Sequence, residues 1–191
     1  VTCLTISPSQ RDFAMQRMQK QGLNERVEIR LEDYRDHKGS YDGVASIEMF
    51  EAVGESYWPS YFAKIFESLK QGGKAALQII TIDDHLFPRY RKRVDFIQRH
   101  IFPGGMLPSE TALKDQFQSA GLRHDGVTYF GQDYARTCRE WARDFNANWD
   151  TISKLDFDEP FRRMWNFYLS YCEAGFTDGR INVGQFQVSK A

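Results

Sequence analysis

Carboxylates and an aromatic ring follow two apolar stretches of the chain that have the composition of β-strands. Asp33 and Tyr34 come after residues 27–31, and Glu51 comes after residues 41–47. At the carboxyl end of a strand, a carboxylate can accept a hydrogen bond from an amino group, and an aromatic ring can cover a planar ligand. The residues alone also fit a common Asp-containing turn and a solvated loop carboxylate, so both interpretations stay open.

The cysteines indicate neither a disulfide framework nor a metal site. Cys3, Cys138 and Cys172 are odd in number, far apart and without paired metal-ligand spacing. This usage predicts reduced thiols in a cytoplasmic protein, where the three residues behave as small apolar side chains.

The charge balance excludes a general attraction to polyanions. The chain has 25 basic and 26 acidic side chains and a formal net charge of -1, which gives no global drive toward nucleic acid or an anionic membrane. No apolar run approaches the roughly 20 residues needed to span a bilayer.

A local basic stretch is the exception to this balance. Apolar residues recur at helical spacing between residues 87 and 101, and six basic side chains lie among them: Arg89, Arg91, Lys92, Arg93, Arg99 and His100. Such an element can meet anionic lipid headgroups, or it can pack on its own domain with its charges in water.

Strands and helices alternate along most of the chain. The predicted strands are 1–6, 27–31, 41–47, 74–82, 122–130 and an edge-like final strand, 183–189. The predicted helices are 10–21, 57–69, 84–102, 109–120, 133–149 and 160–172. This alternation predicts an α/β protein with a parallel sheet and a single domain over residues 1–191.

Five segments share their order and spacing with a known family: 4–10, 33–35, 46–54, 102–105 and 130–134. The most specific are Phe-Glu-x-x-Gly at 50–54 and Phe-Gly-x-Asp-Tyr at 130–134. Over essentially its whole length, the chain resembles the cyclopropane-fatty-acyl-phospholipid synthase and mycolic acid cyclopropane synthase family of S-adenosylmethionine-dependent methyltransferases.

The resemblance implies a Rossmann-like class I methyltransferase fold, with S-adenosylmethionine across the carboxyl ends of the first strands. The family carries a glycine-rich loop ahead of the segment seen here, so we expect a domain that is incomplete at the N-terminus. By resemblance, Thr5, Ile6 and Gln10 bind the ribose and methionine side of the cofactor, and Asp33 and Tyr34 bind adenine. The alternative is sheet core for Thr5 and Ile6 and a solvated helix residue for Gln10.

The resemblance also implies a base site for bicarbonate. Glu51 and Tyr134 match the acidic residue and the tyrosine that hold this ion in the family. The family's His-Thr-Ile run falls on residues 78–80, so Gln78 replaces the histidine, and Ile80 completes the run. Since Gln78 cannot titrate near neutrality, a possible proton acceptor is lost and ring closure stays open. We therefore predict Glu51, Tyr134, Gln78 and Ile80 as the catalytic residues.

The predicted activity is methyl transfer to the double bond of an unsaturated fatty acyl chain of a phospholipid. The product is a cyclopropane, a methyl branch or a methylene group. The alternatives are methylation of a small polar acceptor and a non-catalytic lipid-binding domain. The expected partner is the acyl lipid, with peripheral contact at the inner membrane face; a homodimer stays open and no nucleic acid is expected.

Overall fold

The first forty residues form a two-stranded parallel sheet and one helix in the computed structural model, which describes residues 1–191. Strand β1 (Thr2–Thr5) pairs in parallel with β2 (Glu28–Leu31), and helix α1 (Pro8–Lys20) connects them. Ser7 accepts a hydrogen bond from the Gln10 backbone N–H and Pro8 opens the helix, as the Ser-Pro signal predicts. We call residues 1–40 the N-terminal unit.

Residues 41–191 form a second compact unit around a four-stranded sheet. Its strands are β3 (Tyr41–Ile47), β4 (Leu69–Ile82), β5 (Leu122–Tyr129) and β6 (Ile181–Lys190), in the order β3-β4-β6-β5. Strands β3 and β4 are parallel, whereas β6 is antiparallel to both neighbours. We call residues 41–191 the C-terminal unit.

The position of β6 corrects two predictions. The sheet is mixed and not purely parallel, and β6 lies inside it and not at its edge. The polar residues Gln185 and Gln187 suggest a solvated edge, but their neighbours Phe186 and Val188 are fully buried. A central strand can have the same alternation of polar and apolar residues as an edge strand when one of its faces keeps polar side chains.

Strand β4 begins at Leu69, five residues before the predicted start. Gly72 and Gly73 do not form a turn ahead of the strand but a register shift inside it, next to Tyr41 and Gly43 of β3. Gly72 has a φ of 73°, and a Cβ on Gly73 would lie 2.8 Å from the Lys70 carbonyl oxygen. This irregularity requires glycine at both positions.

Helices cover both faces of the C-terminal sheet. They are α2 (Trp58–Ser68), α3 (Phe87–Tyr90), α4 (Phe96–His100), α5 (Glu110–Ser119), α6 (Gly131–Ala147), α7 (Trp149–Ile152) and α8 (Glu159–Thr177). On β6, the Phe186 ring lies 6.1 Å from that of Phe117 in α5, while Val183 packs with α6 and α8. Because residues three apart on a strand point to opposite faces, α5 covers one face and the α6–α8 pair the other.

The predicted helix over residues 84–102 is two short helices. The first helix, α3, ends at Tyr90, and Asp95, which has an extended backbone, forms a capping box with Gln98 that starts α4. Val94 is therefore 74% exposed and does not join a continuous apolar face. None of the helices is both long and apolar enough to cross a lipid bilayer.

Candidate active site

Glu51 lies in a 3₁₀ turn, Phe50–Ala52, just beyond the carboxyl end of β3. The fully buried Phe50 ring anchors this turn against Tyr61 and Phe62, with centroid distances of 5.0 Å to each ring. The Glu51 Oε1 atom accepts a hydrogen bond of 2.6 Å from the backbone N–H of Ile80 in β4. Two of the predicted catalytic residues are therefore in direct contact.

The Glu51 carboxyl group is placed to change its charge near neutral pH. Burial raises its pKa to about 7, and this effect exceeds the opposing one of the Ile80 hydrogen bond. Its second oxygen, Oε2, is buried without a hydrogen-bond partner. An orphaned oxygen on a buried carboxyl group is uncommon and marks a position where a ligand can bond.

Glu48 lies between β3 and the Glu51 turn and holds an unusual backbone conformation. Its φ is 50°, in the left-handed region that side chains other than glycine seldom adopt. Its N–H donates to the Gln78 carbonyl oxygen at 2.9 Å. Its Oε1 atom accepts from the Gln78 amide nitrogen at 2.7 Å and from the Tyr134 hydroxyl. Strain of this kind concentrates at functional sites.

Gln78 connects three side chains through its amide group. Its Nε2 atom donates to Glu48 and, at 2.8 Å, to the Tyr134 hydroxyl oxygen. Its Oε1 atom accepts from Nε2 of Gln185, which lies directly opposite on β6, at 3.1 Å. Glu48 can only accept and Gln185 presents its amide nitrogen, so both partners favour the orientation in which the Gln78 nitrogen faces Glu48.

Tyr134 enters the site from the first turn of α6. Its ring lies at centroid distances of 5.6 Å from Phe130 and 5.4 Å from Phe176. The helix begins at Gly131, whose N–H donates to the Asn182 side chain of β6 at 3.0 Å. Burial and the hydrogen bond to Glu48 both raise the pKa of the Tyr134 hydroxyl, so it stays protonated and acts as a donor.

The cluster of Glu48, Glu51, Gln78 and Tyr134 is anionic. No lysine, arginine or histidine is hydrogen-bonded or ion-paired to any of the four. Nowhere in the chain do three His, Cys, Asp or Glu side chains form a metal-binding group. The arrangement is suited to stabilising a positive charge or accepting a proton, not to nucleophilic catalysis.

The cysteines are free, as their number predicts, and two of them belong to the helices behind Tyr134. Cys138 of α6 is buried and packs with Phe176, and Cys172 of α8 packs against the same group. Burial raises the pKa of both thiols, that of Cys172 to about 12. Neither is a reactive thiolate near neutral pH.

In the N-terminal unit, three predicted cofactor residues meet at the end of β1. The Thr5 hydroxyl donates to Oε1 of Gln10 at 2.8 Å and accepts from the Ser7 N–H at 3.1 Å. Ile6 is 77% exposed, so the sheet-core interpretation is wrong for this residue. Gln10 keeps its amide hydrogens available because only its oxygen is bonded to Thr5.

Asp33 and Tyr34 follow β2 at the same edge of the two-stranded sheet. The pairing of Thr5 with Leu31 and the hydrogen bond from the Glu32 N–H to the Thr5 carbonyl bring the two strand ends together. Arg35 bonds the Asp33 carboxylate through its side chain and its N–H, and these bonds lower the Asp33 pKa to about 2. Asp33 is therefore an ionised acceptor.

A protein-family model described as mycolic acid cyclopropane synthetase matches residues 1–186. The chain belongs to this family. It is 43% identical over 187 residues to tuberculostearic acid methyltransferase UfaA1 of Mycobacterium tuberculosis, a match that covers 97% of this chain and 44% of that protein. It is 33% identical over 193 residues to cyclopropane-fatty-acyl-phospholipid synthase of Escherichia coli, which covers 100% of this chain and 47% of that protein.

This member of the cyclopropane synthetase family thus spans about half the length of these curated relatives. Among solved structures, it is similar to mycolic acid cyclopropane synthase CmaA1 complexed with SAH and CTAB. The TM-score is 0.89 at 26% identity, over 100% of this chain and 70% of that one. The predicted family and the predicted α/β, Rossmann-like methyltransferase fold are confirmed.

Two residues of this site, one in the cluster and one behind it, were not predicted from the sequence. Glu48 lies within the segment 46–54 that carries the resemblance, three residues before Glu51, and Gln185 belongs to the misplaced strand β6. The signal for Glu48 was its place directly after a strand, where side chains of parallel strands gather. Nothing in the sequence marks Gln185, because its role depends on the register of β6 against β4.

Proposed function

We propose that this chain is part of an enzyme that transfers a methyl group from S-adenosylmethionine to the double bond of an unsaturated fatty acyl chain. The observation that carries the proposal is the anionic cluster of Glu48, Glu51, Gln78 and Tyr134. A carbocation formed when an alkene attacks a methyl group is stabilised by such a site. The relatives support an acyl acceptor, since their names describe fatty acid methylation and cyclopropane formation.

The residues of the N-terminal unit fit S-adenosylmethionine. Asp33 is ionised and can accept a hydrogen bond from the adenine amino group, with the Tyr34 ring beside it. Gln10 has amide hydrogens for a hydroxyl or carboxylate of the cofactor, and exposed Ile6 offers apolar contact. When bound, the cofactor supplies a methyl group on a sulfonium, which is already an activated electrophile.

The C-terminal unit would then supply the environment for the acceptor. Glu51, when ionised, adds a negative charge beside the developing cation. Tyr134 and Gln78 orient the Glu48 carboxylate through two hydrogen bonds to one oxygen. We propose that both units belong to a single catalytic domain, since the family model runs through both of them.

Lipid analysis tests the proposed function. The full-length protein is expressed in a host that lacks such enzymes, and the acyl chains are analysed by mass spectrometry. We expect a gain of one methylene equivalent on monounsaturated chains. Feeding methionine with a trideuterated methyl group should leave two deuterium atoms in a cyclopropane or methylene product. The third is removed when the base deprotonates the transferred methyl group. Unchanged acyl chains would contradict the proposal.

Two further measurements separate the alternatives. Methylation of a small polar molecule without any change in the lipids would favour a polar acceptor. Calorimetric titration of the full-length protein with S-adenosylmethionine tests the non-catalytic alternative. No binding at millimolar cofactor would leave a lipid-binding domain as the better explanation.

An acyl chain that belongs to a phospholipid would be reached at a membrane surface. We propose peripheral contact through the basic segment, residues 89–100, in a cytoplasmic enzyme. Lys92 and Arg93 are exposed beside Val94, and Phe102 is 56% exposed nearby in the sequence. Basic side chains next to exposed apolar ones are the combination that binds anionic bilayer surfaces. A homodimer stays a prediction.

A further inference from the structure

The donors that the family resemblance assigns to bicarbonate are already occupied in this chain. Both amide hydrogens of Gln78 are used, one on Glu48 and one on the Tyr134 hydroxyl oxygen. The Tyr134 hydroxyl hydrogen is used on Glu48, and the Ile80 N–H is used on Glu51. An anion needs such donors, and a carboxylate next to it adds repulsion. Bicarbonate therefore finds no free donor on Gln78, on Tyr134 or on the Ile80 N–H.

We infer that the Glu48 carboxylate takes the place of an external anion and is itself the base of the reaction. The inference rests on the proposed function, because the proton comes from the methyl group transferred in that reaction. That Glu48 fills the position assigned to bicarbonate does not depend on it. Glu48 Oε1 receives the hydrogen bonds of Tyr134 and Gln78, and neither bond reaches Oε2. A carboxylate held at one oxygen presents the other in a fixed direction.

The proton balance requires no other reactant. The π electrons of the acceptor alkene form a bond to the methyl carbon, and the carbon–sulfur bonding pair leaves with sulfur. The resulting carbocation loses a proton from the transferred methyl group to Glu48. The released C–H electrons close a three-membered ring, or they form an exocyclic double bond after a 1,2-hydride shift has moved the cation to the methylated carbon. Glu48 ends as a neutral carboxyl group and, being exposed, returns its proton to water.

The use of Glu48 as the base also accounts for Gln78 at the position where the family pattern has a histidine. A histidine beside Glu48 could take up a proton and neutralise the carboxylate by ion pairing, whereas an amide cannot. Gln78 donates to Glu48 without titrating, and Gln185 prevents its amide from turning over. The chain thus replaces a titratable side chain and a bound anion with one carboxylate of its own.

The test compares the full-length protein with Glu48→Gly. Glycine suits the φ of 50° at this position, so the variant should fold with an unchanged or slightly altered thermal midpoint. It also frees the Tyr134 and Gln78 donors. We expect turnover to fall by roughly 10²–10⁴-fold, the usual contribution of a general base. Added bicarbonate or formate should restore part of it.

Glu140→Gln is the matched control. This carboxylate of α6 is partly exposed and paired with Arg136, and its loss should leave turnover unchanged. Wild-type turnover should be insensitive to the removal of bicarbonate from the buffer. A bicarbonate requirement in the wild type, or wild-type turnover in Glu48→Gly, would overturn the inference.

Binding of ¹³C-labelled bicarbonate, followed by NMR, gives a readout that does not depend on catalysis. We expect binding to Glu48→Gly and none to the wild type. Equal binding to both proteins would show that Glu48 does not occupy the anion position. If the wild type methylates no lipid at all, the proposed function fails, but this binding comparison still decides whether Glu48 fills the site.

Discussion

At the scale of single residues, Glu51 has the property that kinetics can detect most directly. Its carboxyl group loses its proton near pH 7, where most glutamates are fully ionised. The proposed reaction develops positive charge, so the ionised form is the useful one. Turnover by the full-length protein should therefore rise as the pH increases through about 7.

Glu51→Gln should abolish that rise and lower turnover at pH 8 by roughly 10²-fold, as expected for the loss of a charge that acts on the transition state. The measurement is kcat between pH 5.5 and 8.5 for both proteins. A rise of the same size in the glutamine variant would show that another group controls the profile.

Gln185 acts through Gln78 and is a positioning residue. Gln185→Met removes the donor that fixes the Gln78 amide, so part of the population should turn its oxygen toward Glu48 and repel it. Since one hydrogen bond contributes about 0.5–1.5 kcal/mol, kcat should fall by roughly 2- to 13-fold. KM for the cofactor should not change.

Gln187→Met is the control for Gln185→Met. It lies two residues along the same strand, on the same face and similarly exposed, but makes no hydrogen bond with the cluster. Equal effects of the two substitutions on kcat would point to a general disturbance of β6 and remove Gln185 from the site.

Only part of this residue-scale arrangement was predictable. Glu51, Gln78 and Tyr134 were identified because they stand in segments with family spacing. Their mutual contacts, however, depend on the pairing of three strands and the direction of α6. The family pattern assigns no role to Glu48, although this residue lies within the segment 46–54. Its left-handed backbone, which turns it toward Gln78, is not encoded in any short motif.

At the scale of elements, the basic segment is the part whose shape differs most from prediction. The capping box at Asp95 divides it, so Lys92 and Arg93 lie on a connection between α3 and α4. Arg91 is separate from them, since it pairs with Glu55 and lies over the Phe87 ring. Helical periodicity alone cannot show such a break, because the apolar spacing continues across it.

The double variant Lys92→Glu/Arg93→Glu tests the membrane role of this connection. It should reduce cosedimentation of the full-length protein with vesicles that contain anionic phospholipid, and high salt should reduce wild-type binding as well. Lys154→Glu/Arg163→Glu is the control, since it makes the same charge change at other exposed positions. Unaltered binding of the first variant would remove this connection from the membrane contact.

The predicted start of α5 agrees with the structure, in which Ser109 is the residue that caps the helix. Ser109 is 2% exposed, and its hydroxyl accepts from the Ala112 N–H at 3.3 Å. Ser109→Ala should lower the free energy of unfolding by about 1–2 kcal/mol, the usual contribution of a helix cap. Chemical denaturation measures this, with exposed Ser56→Ala as the control. A change no larger than that of the control would mean that the cap contributes nothing.

At the scale of the whole molecule, the free energy of unfolding should depend on pH because of Glu51. Its pKa is about 7 when folded and near 4.5 when unfolded, so folding favours the protonated form. This contribution is fully present below pH 4.5 and is lost as the pH rises through 7. A pKa difference of this size corresponds to at most about 3 kcal/mol.

The Glu51→Gln variant has no carboxyl group at this position, so it should not lose stability through ionisation there. Relative to the wild type, the variant should become more stable as the pH increases from 5 to 8, and the difference should level off above pH 8. Thermal midpoints across this range measure it. A constant difference between the two proteins would show that Glu51 does not titrate in this window.

The order of elements in the sheets follows from the sequence much less directly than the elements themselves. Most strands and helices were predicted to within a few residues, because periodicity and capping residues are local signals. The insertion of β6 between β4 and β5 is a non-local choice, decided by the core contacts of Val183 and Phe186. The mixed sheet was missed for that reason.

The central place of β6 has a consequence for biosynthesis. During translation, β5 leaves the ribosome about 50 residues before β6, and until β6 arrives neither β5 nor the free side of β4 has its partner. Two unpaired strand edges persist through that interval, and these are the surfaces on which nascent chains aggregate or engage chaperones. Because β6 carries Gln185, the insertion of β6 completes both the sheet and the hydrogen bonds that orient Gln78.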